Sequence, residues 1–211
     1  MLAEKYRPKS FEQVIGQDRV VTAMKWYMDQ LNTSGMSFLF TGPSGSGKTT
    51  LAECAAHYWG CNEFDIHKVE SAQADVDTLR KLSNDMHVYG TGKHGHKCYV
   101  IDEVHTITGR AADRMLSLLE SLPSHVLIVG TTTETDWTDG ILLSRWVRFD
   151  LQKVKSTDVA DYLHWVADAE ALPIPADPKW ADKLVKYHGL NIRDQLNQLP
   201  ARLLGGMSVA A

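Results

Sequence analysis

The stretch Ser37-Phe38-Leu39-Phe40-Thr41-Gly42-Pro43-Ser44-Gly45-Ser46-Gly47-Lys48-Thr49-Thr50 decides how the rest of the chain is read. Its first part is a short apolar run of the kind that forms a buried strand. Its second part satisfies G-x-x-x-x-G-K-[ST] from Gly42 to Thr49. Glycines at 42, 45 and 47 let backbone N–H groups wrap a phosphate chain at a helix start, where the positive end of the helix dipole favours an anion. Lys48 is placed to reach the β- and γ-phosphates, the Thr49 hydroxyl to ligate Mg2+, and Thr50 follows in the same first turn. The pattern predicts a helix over 48–59. That strand–loop–helix context separates the motif from a chance Gly-rich turn. The expected ligand is a nucleoside triphosphate with Mg2+.

Working outward, Phe64–Glu70, Cys98–Ile101 and His125–Val129 read as further strands. Helical patterns over 76–86 and around Met115, Leu116, Leu118 and Leu119 lie between them. Strands alternating with helix-length segments imply an α/β fold, a parallel sheet with helices on both faces. Asp102-Glu103 closes the strand 98–101, which is expected to neighbour the phosphate-loop strand. There Asp102 holds the Mg2+ shell, while Glu103 orients and deprotonates the attacking water. By themselves two acids at a strand end are solvated turn residues; beside a phosphate loop they are the other half of a hydrolytic centre.

The composition changes after Leu151. Three helical segments follow, over 156–170, 177–188 and 191–204. Asp177-Pro178 reads as an N-cap with proline at the first helical position, Gly189 as a stop and Asn191 as a cap. The expected organisation is a nucleotide-binding α/β domain over 1–151, a small helical lid over 152–206 and a flexible tail over 207–211.

Composition narrows the partners. The 211 residues are 44% hydrophobic and 23% charged, ordinary for a globular protein. No apolar run approaches the roughly 18 residues of a membrane span, and the N-terminus has no signal-peptide core. No membrane partner is expected. Cys54, Cys61 and Cys98, odd in number and widely spaced, fit neither a disulfide framework nor a zinc knuckle. A reducing, cytoplasmic setting follows. With a net charge of −4 and a pI near 6.1, DNA contact must come from a local basic surface or from several subunits together.

At this point the chain resembles a known family. Ile101-Asp102-Glu103-Val104-His105 is similar to the Walker B segment of the bacterial DNA polymerase III gamma/tau subunit. Glu4-Lys5-Tyr6-Arg7-Pro8-Lys9-Ser10-Phe11, with Val14-Ile15-Gly16-Gln17, resembles the opening of that subunit and of replication factor C small subunits. Ser144-Arg145-Trp146 stands where those families carry Ser-Arg-Cys. The resemblance to these AAA+ sliding-clamp-loader ATPases runs from residue 2 to about 204.

It implies roles position by position. Tyr6, Arg7, Pro8, Val14 and Ile15 would line the adenine side. Thr132, or the adjacent Thr131, would be the sensor of the γ-phosphate. Arg145 would be an arginine finger entering the ATP site of a neighbouring subunit, and Arg193 a lid sensor reading ATP in cis. Read without the resemblance, Arg145 is a surface arginine and Arg193 a solvated helix residue. The implied partners are a sliding clamp, primer-template DNA and other clamp-loader subunits in a ring.

The sequence departs from that family in three places. Gly60-Cys61-Asn62 passes straight to the next strand where the family has a cysteine-rich zinc module, so no structural zinc is expected. Trp146 replaces the motif cysteine. The chain also ends where the collar domain would begin, which implies a partner that supplies the ring or a compact form of the kind a viral genome encodes. Arg110 and Arg114, four apart on one helix face, are either a solvated face or, by the resemblance, a DNA-channel contact. His94 and His96 read as a hydrated loop rather than a metal site, and the six tryptophans as core. Competing functions are a helicase loader, a branch-migration motor, or a regulatory subunit that binds nucleotide with little turnover.

Overall fold

The computed structural model describes residues 1–30, 34–70, 74–134 and 143–205. Trp137 and the tail 207–211 lie outside the described residues. Five strands form one sheet: Met36–Thr41 (β1), Ile66–Glu70 (β2), Lys97–Asp102 (β3), Val126–Thr132 (β4) and Val147–Asp150 (β5). Their order is β2-β3-β4-β1-β5, and every pairing is parallel.

This order corrects one expectation. The strand carrying Asp102 does not neighbour β1, because β4 lies between them. All seven residues of β4 are buried. A strand apolar on both faces is most stable where it has a neighbour on each side. The edge strand β5 was not read from the sequence. It has four residues, with Arg148 and Asp150 exposed and Phe149 buried, too short and too polar for a core-strand pattern.

The period-2 alternation of the strands feeds two apolar layers. Phe38, Phe40, Cys98, Val100, Leu127 and Val129 point into one core, with Leu51, Ala55 and Met24 from the helices Lys48–Tyr58 (α3) and Asp18–Gln30 (α2). Leu39, Tyr99, Ile101, Val126 and Ile128 point into the other. They meet Leu79 of Val76–Asp85 (α4) and Met115 and Leu118 of Arg110–Glu120 (α5). Both faces are covered, which is why the strands read as continuous apolar runs. Cys54, Cys61 and Cys98 are buried thiols outside any disulfide; burial pushes the Cys61 thiol up to about 12 and holds the Cys98 thiol well above its ordinary value.

The chain divides into two compact units. Pro8–Pro43 with Gly47–Leu151 form one; Met1–Arg7, Ser44–Ser46 and the chain from Gln152 onward form the other. The second contains the short helix Leu2–Lys5 (α1) and three longer ones, Ser156–Ala169 (α6), Trp180–His188 (α7) and Ile192–Leu204 (α8). Leu163, Val166, Trp180, Leu184, Leu196 and Leu199 are among its buried apolar residues. The opening residues are tied into it: Tyr6 Oη donates to Glu170 at 2.6 Å, and Tyr162 Oη donates to the Tyr6 carbonyl at 2.6 Å.

Two local expectations are corrected here. Helix α7 begins at Trp180 rather than at Asp177-Pro178. The Asp177 carboxylate accepts from Lys179 N at 2.9 Å, so it closes a turn just before the helix instead of capping it. Trp26 and Trp165 are not core: they are 58% and 56% exposed, whereas Trp59, Trp146 and Trp180 are buried. A helical position by itself does not say which side of the helix a tryptophan occupies.

Candidate functional site

The carboxyl ends of β1, β3 and β4 bring together a cluster of polar residues. The turn after β1 has Gly42, Gly45 and Gly47 at φ of 149°, 77° and 91°, backbone that a side chain would strain. Gly47 stands at the head of α3, whose first turn is Lys48-Thr49-Thr50. Lys48 is buried, and its ammonium donates to the loop's own carbonyls, Gly42 O at 2.8 Å and Pro43 O at 3.1 Å. Burial pushes this ammonium below its ordinary range, and the nearby Glu103 and Asp102 oppose that shift. A desolvated cation at a helix N-terminus is a receptor for an anion.

The acidic half is built on β3 and β4. Ile101 is in register with Gly130, which sets Asp102 beside Thr131. Asp102 Oδ1 accepts from Thr131 Oγ1 at 2.9 Å and from Thr49 Oγ1 at 3.1 Å. One carboxylate oxygen thus joins the phosphate-loop helix to the tip of the central strand. Glu103, the next residue, adopts left-handed backbone at φ 56°. Its Oε2 accepts from Thr133 N at 3.3 Å and Thr133 Oγ1 at 3.1 Å. Thr132 turns instead to His105, with its hydroxyl 2.9 Å from Nδ1.

The donor set fits Mg2+ with a phosphate chain. Hydroxyl and carboxylate oxygens are hard ligands suited to that ion, and Thr49 and Asp102 already converge at hydrogen-bond distance. A Cβ built on Gly47 would meet open space, so the loop has room on that side. Among the described residues no group of three or more His, Cys, Asp or Glu could hold a metal ion by itself.

The residues 38–156 match the description "ATPase family associated with various cellular activities (AAA)". The chain belongs to the AAA ATPase family. It is an ATPase of that family and homologous to DNA polymerase III gamma and tau subunits. The gamma subunit of Buchnera aphidicola is 28% identical over 94% of this chain and 60% of its own length. The tau/gamma subunit of Haemophilus influenzae is 29% identical over 93% of this chain and 31% of its own. The chain therefore spans between about a third and 60% of the length of these relatives. In fold it is similar to a mutant of Thermotoga maritima RuvB, with a TM-score of 0.78 at 20% identity, covering 94% of this chain and 67% of that one. That likeness shows the fold of the AAA domain alone. No helix among the described residues is long and apolar enough to cross a membrane.

Other sequence-predicted positions are distributed as follows. Arg145 lies on the AAA unit's surface, 44% exposed by side chain. Its Nε and Nη2 both donate to Glu120 Oε1 at the end of α5, at 3.1 and 2.8 Å. Trp146 is buried in the second core layer. Val14 and Ile15 are half-buried, and the Pro8 carbonyl accepts from Cys54 Sγ at 3.4 Å. Of the residues expected on the adenine side, Pro8, Val14 and Ile15 belong to the AAA unit and Tyr6 and Arg7 to the other unit. Arg193 is exposed in the first turn of α8.

Sequence reasoning missed three participants. His105 and Glu134 flank Glu103 and Thr132, and the only signal was a histidine two residues past Asp102-Glu103. Asn191 precedes α8, but its side chain makes no capping bond. It lies against the phosphate loop instead: a Cβ on Gly45 would stand 3.0 Å from its Cγ.

Proposed function

We propose that this chain is a clamp-loader subunit that binds and hydrolyses Mg-ATP to place a sliding clamp on primer-template DNA, acting with other subunits in a ring. The observation that carries the hydrolytic part is the convergence of Thr49 and Thr131 on Asp102 Oδ1, beside Lys48 and Glu103. The clamp-loading part is supported by similarity to gamma and tau subunits over most of the chain.

In this reading the phosphate-loop amides and Lys48 bind the β- and γ-phosphates. Thr49 and Asp102 would hold Mg2+, which would supply positive charge against the phosphate oxygens. Glu103 orients a water and takes its proton as the water oxygen attacks the γ-phosphorus. The bond to the bridging oxygen breaks, and ADP and phosphate leave. Thr131 fixes Asp102, and Thr132 is the sensor. Tyr6, Arg7, Pro8, Val14 and Ile15 line the adenine side; the helices of 152–206 form the lid, with Arg193 as its phosphate contact. Arg145 acts on a neighbour's ATP, where a permanently charged fork onto phosphate oxygens is needed. Its pairing with Glu120 is exposed and weak enough to exchange for that role.

The test is ATP turnover by the purified chain with and without primed DNA and a sliding clamp, beside Lys48→Ala and Arg145→Ala. Stimulation by both ligands, abolished in each variant, is expected. Turnover indifferent to DNA and clamp would remove the clamp-loading assignment and leave the ATPase.

A further inference from the structure

We propose that His105 is a positioning residue that couples the Glu103 side chain to Thr132 and fixes where the Glu103 carboxylate points. The inference rests on the reading of Glu103 as the residue that takes the proton from water.

Glu103 sits in left-handed backbone, one of two non-glycine residues with positive φ among the described residues. Such a conformation persists only where its surroundings hold it. The backbone is held from both ends. Glu103 N donates to Thr131 Oγ1 at 3.4 Å, and the Glu103 carbonyl accepts from Thr106 N at 3.0 Å and Thr106 Oγ1 at 3.1 Å. The side chain is held separately, by Thr133 and by His105.

The imidazole has a neighbour for each nitrogen. Nδ1 lies 2.9 Å from Thr132 Oγ1 and 3.3 Å from Glu103 Oε2, while Nε2 lies 3.4 Å from Glu134 Oε1. Thr132 Oγ1 already accepts from Glu134 N at 3.0 Å, so its own proton is available to a ring nitrogen. Two arrangements satisfy these atoms. With the ring proton on Nε2, it points to Glu134, and Nδ1 accepts the Thr132 hydroxyl; Glu103 is then held by Thr133 alone. With the ring proton on Nδ1, it points between Thr132 and Glu103, and Glu103 gains a further donor.

A donor on the carboxylate fixes which way it points, and a residue that takes a proton from water must be held within hydrogen-bond reach of that water. A shift of Thr132, the residue placed to sense the γ-phosphate, changes what Nδ1 faces and so what Glu103 receives. The connection runs through two side chains at the ends of adjacent strands, β3 and β4, and needs no movement of the sheet.

The two ring nitrogens can be tested separately, because an asparagine amide falls near the Nδ1 position and a glutamine amide near Nε2. His105→Ala, His105→Asn, His105→Gln and Glu103→Gln are compared for kcat, KM, affinity for a fluorescent ATP analogue and melting temperature. His105→Ala is expected to lower kcat about 10- to 100-fold, the usual cost of removing a group that orients a reacting one, with nucleotide affinity and melting temperature little changed. His105→Asn is expected to recover most of kcat and His105→Gln little. Unchanged kcat in His105→Ala, or Asn and Gln variants equally impaired with falling melting temperature, would overturn the proposal in favour of a filler role. Glu103→Gln is expected to bind nucleotide and not turn it over. If it turns over normally, the assignment of Glu103 fails first and the role of His105 falls with it.

Discussion

Thr131 Oγ1 donates to Asp102 Oδ1 at 2.9 Å, on the same oxygen that receives the Thr49 hydroxyl at 3.1 Å. Thr131 is buried, and its hydroxyl fixes the carboxylate from behind while Thr49 approaches from the phosphate loop. Thr131→Val keeps the shape and removes that donor. It is expected to weaken apparent Mg2+ affinity about 10- to 100-fold, as loss of an outer-shell partner does. A Mg2+ titration of ATP turnover reads this directly.

Lys48 spends its hydrogen bonds on the loop's own carbonyls, at a site where burial disfavours its charge. Phosphate oxygens would relieve that cost. Wild-type protein at about 100 times the dissociation constant of Mg-ATP should therefore gain about 2.7 kcal/mol of stability. Lys48→Ala should show no nucleotide-dependent rise in melting temperature. A rise of equal size in the variant would mean that the nucleotide binds elsewhere.

If Arg145 serves a neighbour's site, mixing restores what each variant lacks. Lys48→Ala has a dead site and an intact Arg145; Arg145→Ala has the reverse. Each alone is expected to lose roughly a thousandfold or more of stimulated turnover, and a mixture to recover part of it. Failure to recover in mixtures that do assemble argues for action within one chain. Arg145→Ala should cost less than about 1 kcal/mol of stability, because its pair with Glu120 is exposed.

Gly130 sits mid-strand in β4 with no room for a methyl group. A Cβ there would lie 3.0 Å from Val104 Cγ1, 3.1 Å from a ring carbon of Trp146 and 3.3 Å from Leu39 Cδ1. Gly130→Ala should destabilise the protein by about 1–3 kcal/mol through overpacking. The double variant Gly130→Ala with Trp146→Leu should recover part of that loss in denaturant melts.

Asp85 carries a pH dependence whose sign is fixed. Its carboxyl lies below the ordinary carboxylate range chiefly because the Tyr99 hydroxyl donates to it, with Lys97 adding a second donor at 3.1 Å. A lowered folded value means stability that is fully present above the unfolded value of 3.8 and is lost as pH falls through the folded one. Asp85→Asn should cost about 1 kcal/mol at neutral pH, at the low end because Asp85 is half exposed. It should also flatten the fall in melting temperature below pH 4.

The sequence by itself determined what short windows encode. The phosphate loop was legible because its glycines, lysine and threonine act within eight consecutive residues, and the backbone angles they require are local. Asp102-Glu103 was legible because a carboxylate pair closing an apolar run marks a strand end. The helix of 156–169 announced itself by periodicity. Tertiary structure alone decided which strands became neighbours. β4 lies between β1 and β3, so Thr131 rather than a residue of β1 backs Asp102. That choice depends on burial summed over whole strands, which no local pattern carries. The same holds for His105, placed between Glu103 and Glu134 by residues nearly thirty apart in sequence. It also holds for β5, whose four residues form a strand only because β1 offers them an edge. Local chemistry is written in the order of residues; the meeting of distant side chains follows from how the sheet pairs.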